Sequence, residues 1–289
     1  MILLDGTATS KTIANHLKVR VERLGRAPRL VIIRVGNDPR STVYINRKIA
    51  FGKKIGAEVE VVEFPQDIET SNLMLHVVEH SNRMDVDGVI LQAPIPDAAA
   101  FMDVVDLIDP IKDVDGLSSK NLRRSLERAR RGRGGELTFR SPATARGVET
   151  LLQEYGIPLA GARVLVVGRS LIAGLSSALA TLANDATITV AHSGSKDLAK
   201  LAEVADIVIL AVGVPKFFGA ELARPHHIVV DVGISAQEGG TIAGDADFEA
   251  ISSIVHAISP VPGGVGPMTV VSLFQNLVDA AEERAALLS

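Results

Sequence analysis

Tyr44 and Lys48 stand four residues apart in a stretch whose spacing predicts a helix over residues 41–55, so both side chains project from one face. A lysine with its ordinary pKa of about 10.4 is a poor base at neutral pH. Burial or neighbouring groups lower that value and make the amine useful in proton transfer. Taken alone, such a pair more often marks a solvated helix face. Gln92 ends an apolar run over residues 86–92 that reads as a strand. Carboxyl ends of strands are where parallel α/β sheets bind ligands, although an ordinary strand-end amide fits the same pattern. KDVDG at residues 112–116 puts Asp113 and Asp115 in a turn, which a solvated Asp-Gly turn also explains.

A second group of residues points to an anion. GRSLIAG at residues 168–174 follows an apolar run and opens a helical pattern. A dinucleotide fold puts its phosphate turn there, because helix N-terminal amides attract anions. The spacing departs from G-x-G-x-x-G, with Ser170 in the middle position, and a plain strand-to-helix turn competes with the phosphate reading. After the next predicted strand come Ala191-His192-Ser193, with no carboxylate to bond a ribose 2′-hydroxyl. Arg169 beside the turn and Ser193 after the strand suit a 2′-phosphate, which favours NADP over NAD. PVPGGVGPMT at residues 260–269 crowds three prolines and three glycines into ten residues. Its rigid, uncovered backbone fits a ligand loop or a stiff connector.

The elements that must position these residues alternate. Strands are expected at 30–35, 59–64 and 86–92, with helices at 41–55, 70–82 and 98–107. After residue 141, a helix capped by Thr144 is expected to run to Tyr155. Strands follow at 163–168, 187–191, 206–213 and 227–233, and helices at 172–183, 196–204 and 268–288. Alternation of this kind implies largely parallel sheets covered by helices. Residues 123–140 hold seven arginines, with Gly132, Gly134 and Gly135 in the second half. A short helix followed by a loop is expected, either as a solvated charged surface or as an attractant for an anionic tail.

Composition bounds the function. The 289 residues suffice for two domains; 47% are apolar and 22% charged, and the net charge is −4. That balance leaves no electrostatic footprint for nucleic acid. No cysteine is present, so there is neither a disulfide nor a thiolate metal site, and no metal is expected. The usage fits a reducing cytoplasm. The first residues do not read as a signal peptide, and no apolar stretch reaches membrane-spanning length.

In order along the chain stand Ser41-x-x-Tyr44-x-x-x-Lys48, VDGVILQAPIP, KDVDG, GRSLIAG, HSGS, GDADF and PVPGGVGPMT. This set resembles the bifunctional methylenetetrahydrofolate dehydrogenase/cyclohydrolase family. The resemblance implies two α/β domains, the second a Rossmann-like NADP-binding domain, with a C-terminal helix returning to the first. Residues 1–140 with 269–289 would form the folate-binding catalytic domain, and 141–268 the NADP domain. It further implies NADP-dependent oxidation of 5,10-methylenetetrahydrofolate, hydrolysis of the methenyl product to 10-formyltetrahydrofolate, and a homodimer. By resemblance, Lys48 handles protons, Tyr44 packs on the folate ring system, Gln92 bonds Lys48, and Asp115 binds the pterin amino edge. Pro262, Gly263 and Gly264 would lie near folate. Gly168, Arg169, Ser170, Ser193, Gly213 and Ile234 would hold NADP, with Thr269 towards the nicotinamide.

Several positions depart from the family pattern. Ser118 and Ser119 stand for its His-Pro, Arg123 for a Gly, Ala143 and Ala145 alter the PCTP loop, and Ser176 stands for a Pro. None removes a proposed catalytic group. They keep open a dehydrogenase with a narrower task and a non-catalytic folate- or NADP-binding dimer.

Overall fold

The computed structural model describes residues 1–133, 139–236 and 242–288. In chain order the first elements are β1 (Ile2–Leu3), α1 (Gly6–Leu24), β2 (Arg29–Val35), α2 (Pro39–Ile55) and β3 (Glu58–Phe64). Next come α3 (Thr70–Asn82), β4 (Gly88–Gln92), α4 (Phe101–Val105), α5 (Ser119–Arg131) and α6 (Ala143–Glu154). Then follow β5 (Arg163–Val167), α7 (Ser176–Leu182), β6 (Thr187–Ala191), α8 (Leu198–Glu203), β7 (Ile207–Leu210) and β8 (Ile228–Asp231). The chain closes with β9 (Ser235–Ala236), β10 (Ile242–Ala243), α9 (Phe248–Ile251), β11 (Ala257–Ile258) and α10 (Val265–Leu288). The fold is α/β, and among the described residues no helix is long and apolar enough to cross a membrane.

Two compact units form. The first comprises Lys11–Arg124, Thr138–Ala143 and Val270–Ser289; the second comprises Met1–Ser10, Ser125–Leu137 and Thr144–Thr269. In the first, β3, β2 and β4 make a parallel sheet in that order. Strand β2 is buried along nearly its whole length, as a parallel strand covered on both faces requires. Val31, Ile33 and Val35 share a core with Leu73 and Val77 of α3, Val89 and Leu91 of β4, and Val104 of α4.

In the second unit six parallel strands run in the order β1-β11-β8-β7-β5-β6. Strand β5 pairs with β6 on one side and β7 on the other, so the strand order reverses beside it. Leu165, Val208, Leu210, Val229 and Phe218 anchor its core.

Several expectations are corrected. Residues 1–10 belong to the second unit, because β1 pairs with β11 and the Asp5 amide donates to the Tyr155 hydroxyl at 2.8 Å. Helix α1 is absent from the expected elements, although Asp5 caps it by accepting from the Ala8 amide at 2.9 Å. Residues 125–133 also belong to the second unit, where Arg128 grips Glu149 with both guanidinium nitrogens, at 3.0 and 2.6 Å. The arginine-rich stretch does form a helix, α5; Gly134 and Gly135 lie outside the described residues.

Thr144 is the second residue of α6 and not its cap. The helix expected over 172–183 is a wide turn at Leu171–Leu175 followed by α7. There the Ser176 hydroxyl donates to the Ile172 carbonyl at 2.8 Å and competes with the helical ladder. Helix α10 starts at Val265, three residues before the expected Met268, with Pro267 in a first turn that tolerates it.

Candidate functional site

In the first unit, α2 carries Tyr44 and Lys48, the end of β4 carries Gln92, and the turn after residue 112 carries Asp115. The Lys48 Nζ donates to Gln92 Oε1 at 2.8 Å. Gln92 Nε2 donates to the Ala93 carbonyl at 3.1 Å, which turns the amide oxygen towards the lysine. Loss of water around Lys48 pushes its pKa down, and the nearby Asp115 charge opposes that shift. Asp115 is pushed up by its own loss of water, with Lys48 pulling it down and Asp113 adding upward pressure. Tyr44 is half-buried, and the Arg47 guanidinium lies 5.8 Å from its ring centroid. The structure therefore brings Lys48, Gln92 and Asp115 together. An amine whose pKa is lowered by desolvation, held by a neutral carbonyl and near a carboxylate, gives up its proton more readily than a free lysine.

The two acids of KDVDG part company. Asp113 is buried and accepts from the Gly116 amide at 3.0 Å, the Ser118 amide at 2.7 Å and the Asn121 side chain at 2.9 Å. Asn121 in turn donates to the Pro110 carbonyl at 2.9 Å. Asp113 thus shapes the turn. The Asp115 carboxylate accepts no hydrogen bond among the described residues, and its donor-binding capacity stays available.

In the second unit the predicted nucleotide residues gather at one sheet edge. Val167, Ala191, Leu210 and Asp231 end β5, β6, β7 and β8 at the same level of the parallel register. Gly168, Arg169 and Ser170 follow β5; Ser193 follows β6; Gly213 follows β7; Ile234 follows β8. Gly168 has φ +122°, and a Cβ there would meet the Ala211 carbonyl oxygen at 2.2 Å, so only glycine fits. Ser170 caps the next turn by accepting from the Ala173 and Gly174 amides at 3.3 and 3.4 Å. Arg169 and Ser193 are exposed, and neither side chain makes a hydrogen bond or ion pair among the described residues. A free cation, a free hydroxyl and a helix start without a nearby acid suit a phosphorylated ligand.

Residues 260–264 lie in the second unit between β11 and α10. The Thr7 amide donates to the Gly263 carbonyl at 2.9 Å, and the Gly264 amide to the Pro260 carbonyl at 2.7 Å. Gly263 has φ +114° beside a cis Val261–Pro262 bond. Thr269 sits in the first turns of α10, its hydroxyl donating to the Val265 carbonyl at 3.3 Å. Pro262, Gly263, Gly264 and Thr269 thus belong to a different unit from Tyr44, Lys48, Gln92 and Asp115.

Sequence reading gave no role to Asp113, Asp231 or Asp245, all buried. Their signal was an acid inside an apolar or glycine-flanked run, where charge needs a fixed set of donors.

A sequence profile of the tetrahydrofolate dehydrogenase/cyclohydrolase catalytic domain matches residues 4–115. The NAD(P)-binding domain of the same family matches residues 142–285. The chain is 39% identical to the bifunctional protein FolD of Lacticaseibacillus paracasei over 98% of both chains. It superposes with a TM-score of 0.93 on bifunctional FolD methylenetetrahydrofolate dehydrogenase/cyclohydrolase from Campylobacter jejuni, at 34% identity, covering 98% of this chain and 99% of that one. The methylenetetrahydrofolate dehydrogenase-cyclohydrolase of Trypanosoma brucei, solved with NADP cofactor and inhibitor, gives 0.91 at 30% identity, covering 99% and 98%.

Proposed function

The chain belongs to the tetrahydrofolate dehydrogenase/cyclohydrolase family, and on that premise we propose that it oxidises 5,10-methylenetetrahydrofolate with NADP and hydrolyses the methenyl product to 10-formyltetrahydrofolate. The observation that carries this reading is the 2.8 Å contact between Lys48 and Gln92 near Asp115, whose carboxylate accepts no hydrogen bond among the described residues. Hydrolysis adds water to the cationic one-carbon bridge, opens it and releases one proton. Lys48, kept below its ordinary pKa by desolvation, accepts a proton from the attacking water. Gln92 presents only its carbonyl oxygen to that amine, so it holds Lys48 in place in both protonation states. Asp115 accepts paired N–H donors from the pterin, and Tyr44 offers its ring to the folate.

Bound NADP supplies the hydride acceptor for the oxidation. Arg169 and Ser193, without side-chain partners among the described residues, would hold its 2′-phosphate, and the amides that open the turn after Gly168 its pyrophosphate. Gly213, Ile234 and Thr269 complete the cofactor set in this reading, and Pro262, Gly263 and Gly264 the folate set. The family resemblance also supports a homodimer, which sedimentation velocity checks.

The deciding experiment supplies purified protein with methylenetetrahydrofolate and NADP. NADPH and methenyl absorbance should appear together, the methenyl absorbance then decaying by hydrolysis. Absence of NADPH and of any methenyl decay would overturn the proposal.

A further inference from the structure

Two loops beyond β7 and β8 are tied to a pair of buried carboxylates. Asp245, fully buried, accepts from the amides of Val212 at 2.7 Å and Gly213 at 3.1 Å through Oδ2, and from Val214 at 2.8 Å through Oδ1. Asp231, also buried, accepts from the Gly233 and Asp245 amides at 3.0 and 3.1 Å through Oδ1, and from Ala246 at 2.8 Å through Oδ2. The Ser235 hydroxyl donates to the Gly213 carbonyl at 2.9 Å and ties one loop to the other. The approach is close: a Cβ on Gly233 would lie 2.1 Å from Asp245 Cγ, and one on Gly244 would lie 2.1 Å from Asp231 Oδ2.

Neither carboxylate forms an ion pair among the described residues. A buried carboxylate without a cation is costly, and backbone amides aimed at it are the compensation available. Those amides define the backbone course of residues 212–214 and 233–235. An apolar plug of the same volume would fill the space without fixing that course, since it accepts no hydrogen bond. The loops it shapes hold Gly213 and Ile234, at the sheet edge read above as the nucleotide site.

We propose that Asp245, backed by Asp231, is a positioning residue for the nicotinamide nucleotide: it sets residues 212–214 and 233–235 in the shape the cofactor needs without touching it. The inference rests on reading that edge as the NADP site. Asp245→Asn keeps the side chain's size but turns one acceptor into a donor, so it cannot receive all three amides. Three quantities are measured on wild type and variant: NADP affinity by calorimetry, hydrolysis of methenyltetrahydrofolate without nucleotide, and Tm. NADP binding should weaken about tenfold or more, the worth of one hydrogen bond to a charged group. Hydrolysis, whose proton-handling residues lie in the other unit, should stay within about twofold of wild type. Unchanged NADP affinity overturns the inference, as does a parallel loss of hydrolysis, affinity and Tm, which marks a merely structural role. Should Asp245→Asn not fold, Ser235→Ala decides: it removes the exposed tie to Gly213, and NADP affinity must then fall with Tm retained, or the idea fails. If wild type binds no NADP, the nucleotide-site reading falls and takes this inference with it; binding by wild type with none of the expected losses sinks only the positioning role.

Discussion

Asp245 in the second unit and Asp115 in the first are both acids in loops near the carboxyl ends of parallel strands, and they end in opposite states. Asp245 receives three backbone amides. The Asp115 carboxylate receives no donor among the described residues and lies near a desolvated lysine. Asp113, two residues earlier, resembles Asp245, with two amides and an asparagine on it. An acid saturated by the protein fixes backbone; an acid left unsaturated keeps its acceptor capacity for a substrate. The same division runs through the cations. Arg128 is spent on Glu149, whereas Arg169 has no hydrogen-bond or ion-pair partner among the described residues.

The sharpest way to break this contrast is Lys48→Met. If the desolvated lysine beside the unsaturated acid does the proton chemistry, methenyl hydrolysis should fall by about 10²- to 10⁴-fold. NADP affinity, set by the other unit, should not move; a variant that still hydrolyses at the wild-type rate would remove Lys48 from the mechanism. A smaller effect is expected from Arg169→Gln. NADP affinity should weaken about ten- to a hundredfold, the worth of a charge-assisted bond to phosphate, while the weaker binding of NAD stays level. Equal losses for NADP and NAD would mean that Arg169 does not read the 2′-phosphate.

The smallest effect concerns the saturated acids. Burial pushes the Asp231 carboxyl up to about 7, with the Asp245 charge adding to the rise and the amides on it opposing. Its unfolded value is about 3.9. A raised carboxyl in the folded state contributes stability that is full below about pH 4 and lost as pH rises through about 7. Asp231→Asn removes that titration. The Tm advantage of wild type over the variant should therefore shrink between pH 5 and pH 8, by a few degrees if about 1 kcal/mol is at stake. Calorimetry at the two pH values checks it, and a gap that widens with pH would show that the charged form is the favoured one.

Much of the scaffold was legible because its signals are local. Apolar, β-branched runs bounded by turn residues located β2, β3 and β6 to within a residue, and α3 at its observed bounds. Strand ends were less legible for a tertiary reason. The strand expected to Gly213 stops at Leu210, because the amides of Val212 and Gly213 turn to Asp245. The strand expected to Gly233 stops at Asp231, whose own carboxylate takes the Gly233 amide. Strand β1 escaped notice because two residues carry no pattern; its partner β11 is more than 250 positions away.

By itself the sequence determined the α/β alternation, the shared helix face of Tyr44 and Lys48, the turn at Gly168 and the absence of an acid after β6. Each depends on neighbours within a few positions, where backbone geometry and side-chain size act directly. Only the tertiary structure decided that Gln92 meets Lys48, that Asp113 is spent while Asp115 is free, and that Asp245 collects a loop over 30 residues away. Desolvation and hydrogen-bond saturation are set by whatever the fold brings close, and that is written across the chain rather than at any one motif.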